Sequence, residues 1–128
     1  VKKDFVEWVV ENLSQNKQIN VVTDQWNNPT YVEDLVEGIT IAIEKRKNGV
    51  YNIGGLEYLS RYEFAIKITE VFELNKNLIN QTTTDKLNQK AKRPLRGGLI
   101  ILKAQAELGY KPHTIEENLL KIKTKLGM

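Results

Sequence analysis

Between Ile19 and Ile53 the chain switches hydrophobic period twice, and no other feature restricts its fold so tightly. Ile19-Asn20-Val21-Val22-Thr23 is a short β-branched run of strand character. Val32, Leu35, Val36, Ile39 and Ile43 then follow at helical spacing. Ahead of them Thr30-Tyr31-Val32-Glu33 fits a capping box, in which the threonine oxygen accepts from the N3 amide and the glutamate reaches back to the cap amide. Lys45, Arg46 and Lys47 are expected in the last helical turn, where cations oppose the dipole, with Asn48-Gly49 as the stop. Val50-Tyr51-Asn52-Ile53 reads as a second strand, ended by Gly54-Gly55. Strand, helix, strand over residues 19–53 predicts a βαβ unit, two parallel strands of one sheet joined by a right-handed crossover.

The flanks are mostly helical. Over residues 4–16, Phe5, Val6, Val9, Val10 and Leu13 form one apolar face, bordered by Trp8. Ser60-Arg61-Tyr62-Glu63 is a second capping box, opening a helix that carries Phe64, Ala65, Ile68, Val71 and Phe72 on one face. Leu78-Ile79 suits a short extended piece, and Thr82-Thr83-Thr84-Asp85 is cap chemistry for a brief turn near Leu87. Arg93-Pro94 and Gly97-Gly98 mark loop. A short helix is expected over 101–108, ended by Gly109, with Pro112 beyond it. Thr114-Ile115-Glu116-Glu117 is a third capping box, opening a terminal helix with Ile115, Leu119, Ile122 and Leu126 inward. An irregular stretch as long as 75–98 implies a binding or packing role.

Composition excludes several functions. The 128 residues make one domain, and 41% apolar content supplies one modest core. With no cysteine there are no disulfides or thiolate metal sites, and a single histidine, His113, rules out multi-histidine centres. No metal site is expected. No apolar run approaches the roughly 20 residues that span a bilayer, and no signal-peptide pattern is present, so a cytoplasmic location without membrane contact is expected. The net charge of +3 comes from scattered lysines. Lys121, Lys123 and Lys125 read as a solvated helix face or partners of a helix dipole, and without interleaved aromatics nucleic acid is not an expected partner. The chain opens Val1-Lys2-Lys3-Asp4 and runs at once into a helical pattern. That suggests a cut inside a larger protein, the plainer alternative being a processed terminus.

Three segments carry a family resemblance. Val21-Val22-Thr23-Asp24-Gln25, then Pro29-Thr30 and Val32-Glu33-Asp34-Leu35, resembles a run of the dTDP-4-dehydrorhamnose reductase family. Gly49-Val50-Tyr51-Asn52-Ile53-Gly54-Gly55 with Ser60-Arg61-Tyr62-Glu63-Phe64-Ala65 is similar to the late strand and following helix of extended short-chain dehydrogenase/reductases. Ala91-Lys92-Arg93-Pro94, Leu99, Lys103 and Leu108-Gly109-Tyr110-Lys111-Pro112 resemble the close of the same family. The order and spacing of all three agree, and together they cover nearly the whole chain. Between Leu99 and Lys103 the sequence departs from the family, with Ile100-Ile101-Leu102 where polar, cap-like residues are usual. That segment either buries itself or exposes an apolar patch.

The resemblance implies the α/β, βαβ-containing, helix-rich C-terminal part of an extended short-chain reductase of Rossmann fold. Residues 1–128 would form a single substrate-binding unit without the N-terminal dinucleotide-binding part. It implies NADPH or NADH as cofactor of the parent protein and a dTDP-linked keto sugar as substrate. The family's glycine-rich turn and its Tyr-x-x-x-Lys pair belong upstream of the matched region. Here Tyr31, Tyr51, Tyr58, Tyr62 and Tyr110 are followed four residues on by Leu35, Gly55, Tyr62, Ile66 and Thr114, so no such pair exists. No catalytic residue, no bound cofactor and no hydride transfer are therefore expected of this chain alone.

Four residues are expected to contact substrate. Asp24 and Gln25 follow a parallel strand, where open α/β sheets bind ligands, and an amide offers donors and an acceptor to sugar hydroxyls or a base edge. The plainer reading is a hydrogen-bonded loop ahead of a helix. Arg93, in a loop beside a proline, is suited to bidentate contact with a diphosphate, and in related sugar-nucleotide enzymes an Arg-Pro at this point reaches that group. The plainer reading is a surface arginine, and Arg96 is a weaker neighbour. Trp26 is suited to stacking on a sugar or base and equally to a subunit contact. Thr30 is read as a helix cap, Asp34 as a first-turn carboxylate facing free amides, and His113 as a solvated loop residue. Partners expected are the dTDP-sugar and either a second copy of the chain or the N-terminal half. Two rival readings are a non-catalytic relative, like the regulatory subunit of methionine adenosyltransferase, and a stand-alone interaction domain.

Overall fold

A computed structural model describes residues 4–87 and 91–128. Helix α1 (Phe5–Ser14) starts where the Asp4 carboxylate accepts the Glu7 amide at 2.8 Å, and it buries Val6, Val9, Val10 and Leu13. Strand β1 (Ile19–Val22) follows, then the two-residue β2 (Trp26–Asn27), α2 (Val32–Glu44) and the two-residue β3 (Leu59–Ser60). Next come α3 (Arg61–Phe72), β4 (Ile79–Thr82), α4 (Leu102–Leu108) and α5 (Ile115–Lys125), with single 3₁₀ turns at Lys76–Leu78 and Thr84–Lys86. At α3 the capping box is complete, Ser60 Oγ accepting from Glu63 N and the Glu63 carboxylate from Ser60 N.

The architecture is mixed α/β, helix-rich, with a parallel strand pair, but the pair is not the one the 19–53 pattern suggests. β1 runs parallel to β4, from Ile19 against Ile79 to Val22 against Thr82, and among the described residues 50–53 joins no strand. The reason lies in which core each run enters. Ile19, Val21 and Ile79 share the main core with Val9, Ile68 and Leu119, so the strands that pair are those lying under α1 and α3. Tyr51 and Ile53 pack instead in a separate small core with Ile41, Ala104, Leu108 and Tyr110. There the Tyr110 hydroxyl donates to Gly54 O at 2.7 Å, and Lys103 Nζ donates to Val50 O at 2.9 Å. Burial, with the charges of Asp34 and Glu37 behind it, pushes the Tyr110 phenol up to about 12, so it remains a donor at neutral pH.

Helix α2 departs from expectation at both ends and along its face. Its cap is Tyr31, without a side-chain bond, and not Thr30. The Thr30 hydroxyl accepts from Gly55 N at 3.0 Å and donates to Asn28 O, because the Gly54–Gly55 turn lies against this loop. A Cβ on Gly55 would come within 1.9 Å of Pro29 O, so only glycine permits the approach. The helix ends at Glu44, leaving Lys45, Arg46 and Lys47 beyond it, with Arg46 at φ 50°. Val32, Val36, Ile39 and Ile43 keep helical spacing but form an exposed stripe.

Asp34 and His113 are also corrected. Asp34 lies in the first turn of α2, yet it is only 2% exposed and serves other elements. Its carboxylate meets His113 Nδ1 at 2.7 Å and accepts from Asn118 Nδ2 at 2.9 Å and His113 N at 3.3 Å. His113 is therefore partnered, pinning the segment before α5 to α2. At α5 the Thr114 hydroxyl accepts Glu117 N but donates to the Glu117 carboxylate, so half of the predicted box forms. Ile115 and Leu119 are buried there, while Leu126 is exposed. The Ile100-Ile101-Leu102 segment does both things foreseen for it: Ile101 enters the small core and its neighbours stay exposed.

Candidate functional site

A three-ply ribbon gathers the candidate residues. Trp26 pairs antiparallel with Ser60 and forms a parallel bridge with Arg96. Trp26 N donates to Leu95 O at 2.7 Å, and Gly97 N donates to Trp26 O at 2.8 Å. Arg61, directly after β3, donates its amide to Gln25 O at 2.9 Å. Asp24, Gln25 and Trp26 thus occupy the middle of the ribbon, Arg61 one flank, and the segment running from Arg93 to Arg96 the other.

The acid–amide pair at the centre is tied inward. Asp24 accepts from the Thr84 hydroxyl at 2.7 Å and from Thr84 N at 3.0 Å. The Thr84 hydroxyl bond is the main reason that the Asp24 carboxyl lies below its usual range. Gln25 is buried and donates Nε2 to the same hydroxyl at 3.2 Å. Both side chains therefore lock the exit of β1 to the turn after β4, as in the plainer reading of that loop. Trp26 stacks on exposed Tyr58 with ring centroids 5.9 Å apart and planes 28° apart, a flat aromatic pair at the surface. Arg93 is exposed, and among the described residues no ion pair joins it, Arg61 or Arg96 to a carboxylate.

An open, mostly apolar cleft of about 490 Å³ lies between α1, α5 and Pro29–Val32. Phe5 lines the cleft, and the Arg61 guanidinium stands over its ring at 4.6 Å from the centroid. None of the four residues expected to contact substrate lines it. Among the described residues no group of histidines and carboxylates is arranged to hold a metal ion, and no helix is long and apolar enough to cross a membrane.

Sequence reading missed Arg61, Tyr58 and Thr84 as members of this cluster. Arg61 lies inside the Ser60–Glu63 capping box, and nothing in its local sequence distinguishes its side chain from that of any first-turn residue. Tyr58 and Thr84 arrive only through the pairing of β3 with β2 and of β4 with β1, which no local pattern displays.

The same fold occurs in the crystal structure of dTDP-4-dehydrorhamnose reductase from Bacillus anthracis in complex with NADP. It matches with a TM-score of 0.85 at 25% identity, over 98% of this chain and 44% of that one. Helix-rich and α/β, with its parallel strand pair, the chain shares the Rossmann-like fold of this neighbour. The chain belongs to the RmlD substrate binding domain family, which matches residues 1–127. It is 34% identical to the dTDP-4-dehydrorhamnose reductase of Aggregatibacter actinomycetemcomitans, over 85% of this chain and 41% of that protein. It is 30% identical to the spore coat polysaccharide biosynthesis protein SpsK of Bacillus subtilis, over 91% of this chain and 40% of that protein. The chain therefore spans about two fifths of the length of these relatives.

Proposed function

We propose that the chain is the substrate-side part of an NAD(P)H-dependent reductase of 4-keto sugar nucleotides, of the dTDP-4-dehydrorhamnose reductase kind, acting in the cytoplasm. The observation that carries this is the match to a substrate-binding family over residues 1–127 in a sequence with no Tyr-x-x-x-Lys pair. In this reading Arg93 neutralises the substrate diphosphate, and Trp26 with Tyr58 offers an aromatic surface to a sugar or base. Asp24 and Gln25 hold the floor beneath them and present their remaining lone pairs to sugar hydroxyls. The nicotinamide cofactor and the proton donor belong to the portion of the relatives that this chain does not span. The exposed α2 stripe and the unpaired 50–53 segment are the surface on which that portion packs: Ile43 is 70% exposed and Val50 81%, a waste of apolar surface unless something covers it.

An NADPH-oxidation assay on the purified chain with a dTDP-4-keto-6-deoxy sugar tests the division of labour. No oxidation above the protein-free rate is expected. Turnover would place the reactive groups within these 128 residues and end the reading.

A further inference from the structure

We propose that Arg61 is a second anion-binding guanidinium of the same site, closing on a substrate diphosphate from the α3 side while Arg93 closes from the other. The inference rests on the reading above and deepens it. It starts from the ribbon, in which Trp26 has Ser60 on one side and Arg96 on the other. That arrangement sets Arg61 and the Arg93–Arg96 segment on opposite flanks of one short strand. A linear diphosphate presents oxygens at both ends, and a guanidinium fork at each end matches it in geometry as well as charge.

Three observations say that the Arg61 side chain is held ready and unspent. Its helix start needs nothing from it, because Ser60 and Glu63 complete the cap between themselves. The acid nearest in sequence is thereby used, the Glu63 carboxylate accepting Ser60 N at 3.2 Å. The guanidinium is partly buried and lies over the Phe5 ring, an arrangement that removes rotamer freedom before any ligand arrives. Among the described residues it has no carboxylate partner. Burial first, and then the positive charge of Arg93, lower its pKa from the usual arginine range. Arg61 thus feels the charge of Arg93 without a carboxylate partner among the described residues, and a shared anion would offset that repulsion.

Calorimetric titration of the 128-residue chain with inorganic pyrophosphate and with dTDP tests this. Both should bind, and Arg61→Gln should weaken both by roughly 10- to 100-fold, the worth of a lost charge-assisted contact. Arg93→Gln should do the same, and Arg61→Lys should recover part of the loss. Should Arg61→Gln fail to fold, Arg61→Lys carries the test through loss of the bidentate fork, with a drop of several-fold expected. Unchanged pyrophosphate binding in a folded Arg61 variant overturns the proposal, as does absence of pyrophosphate binding by the unmodified chain. The parent reading fails separately. If dTDP binds better than pyrophosphate and only Arg93→Gln weakens it, the sugar-nucleotide reading stands and Arg61 has no part in it. If both ligands bind equally and Arg61→Gln weakens both, the arginine pair stands and nucleotide recognition falls.

Discussion

Asp34→Ala is expected to cost the fold about 2–4 kcal/mol, from stranding the buried Asn118 amide and losing the charge-assisted bond to His113. For a chain of this size that lowers the melting temperature by roughly 10–20 °C. The size of the effect follows from what Asp34 joins. Its carboxylate meets His113 Nδ1 at 2.7 Å and Asn118 Nδ2 at 2.9 Å, binding the start of α2 to the start of α5. Asn118 Oδ1 is buried without a partner among the described residues, so removing Asp34 would leave both ends of that amide unsatisfied. His113 is partly exposed and recovers water, and His113→Ala should therefore cost much less, about 1 kcal/mol. Thermal unfolding followed by circular dichroism separates the two. A loss below about 1 kcal/mol for Asp34→Ala would mean that α5 is held by its apolar contacts alone.

The second large effect concerns association. Val32, Val36, Ile39 and Ile43 form a continuous exposed stripe on α2, and burying each such side chain is worth roughly 1.5–3 kcal/mol. A chain carrying that stripe uncovered should self-associate reversibly. The double variant Val36→Glu, Ile43→Lys should sediment as a monomer at concentrations where the unmodified chain does not. Both side chains are more than half exposed, so the fold should lose no more than about 0.5 kcal/mol per site. An unmodified chain that stays monomeric at high concentration would show that the stripe is too dispersed to drive contact, and the packing surface proposed for the rest of the reductase would lose its main support.

Local chemistry is legible where no distant group competes for the same atoms. The Ser60–Glu63 box spans one turn and forms as read. Gly109 ends α4 at φ 71°, as its position before Pro112 suggested. Thr30 offered an equally good local cap, but Gly55 N, 25 residues away, takes its oxygen. Strand pairing failed for the same reason. Val50-Tyr51-Asn52-Ile53 is the more apolar of the two short extended segments, yet it is Ile79–Thr82 that lies beside β1, because Ile79 enters the main core while Tyr51 and Ile53 enter the small one. The candidate site divides along the same line. Asp24, Gln25 and Trp26 are consecutive and were visible together, whereas Arg61 joins them through the β2–β3 register. The contact between His113 and Asp34 spans 79 residues and has no local signature at all.

In the proposed reading, one ribbon of this chain receives the nucleotide diphosphate end of a substrate while the nicotinamide binds elsewhere. Heteronuclear shift mapping of the isotopically labelled chain, titrated in parallel with dTDP and with NADPH, separates the two sites. Saturable dTDP shifts centred on Trp26, Arg61 and Arg93 are expected, and none with NADPH beyond those of the diphosphate it shares. NADPH shifts that saturate first, or dTDP shifts confined to the cleft between α1 and α5, would contradict that reading.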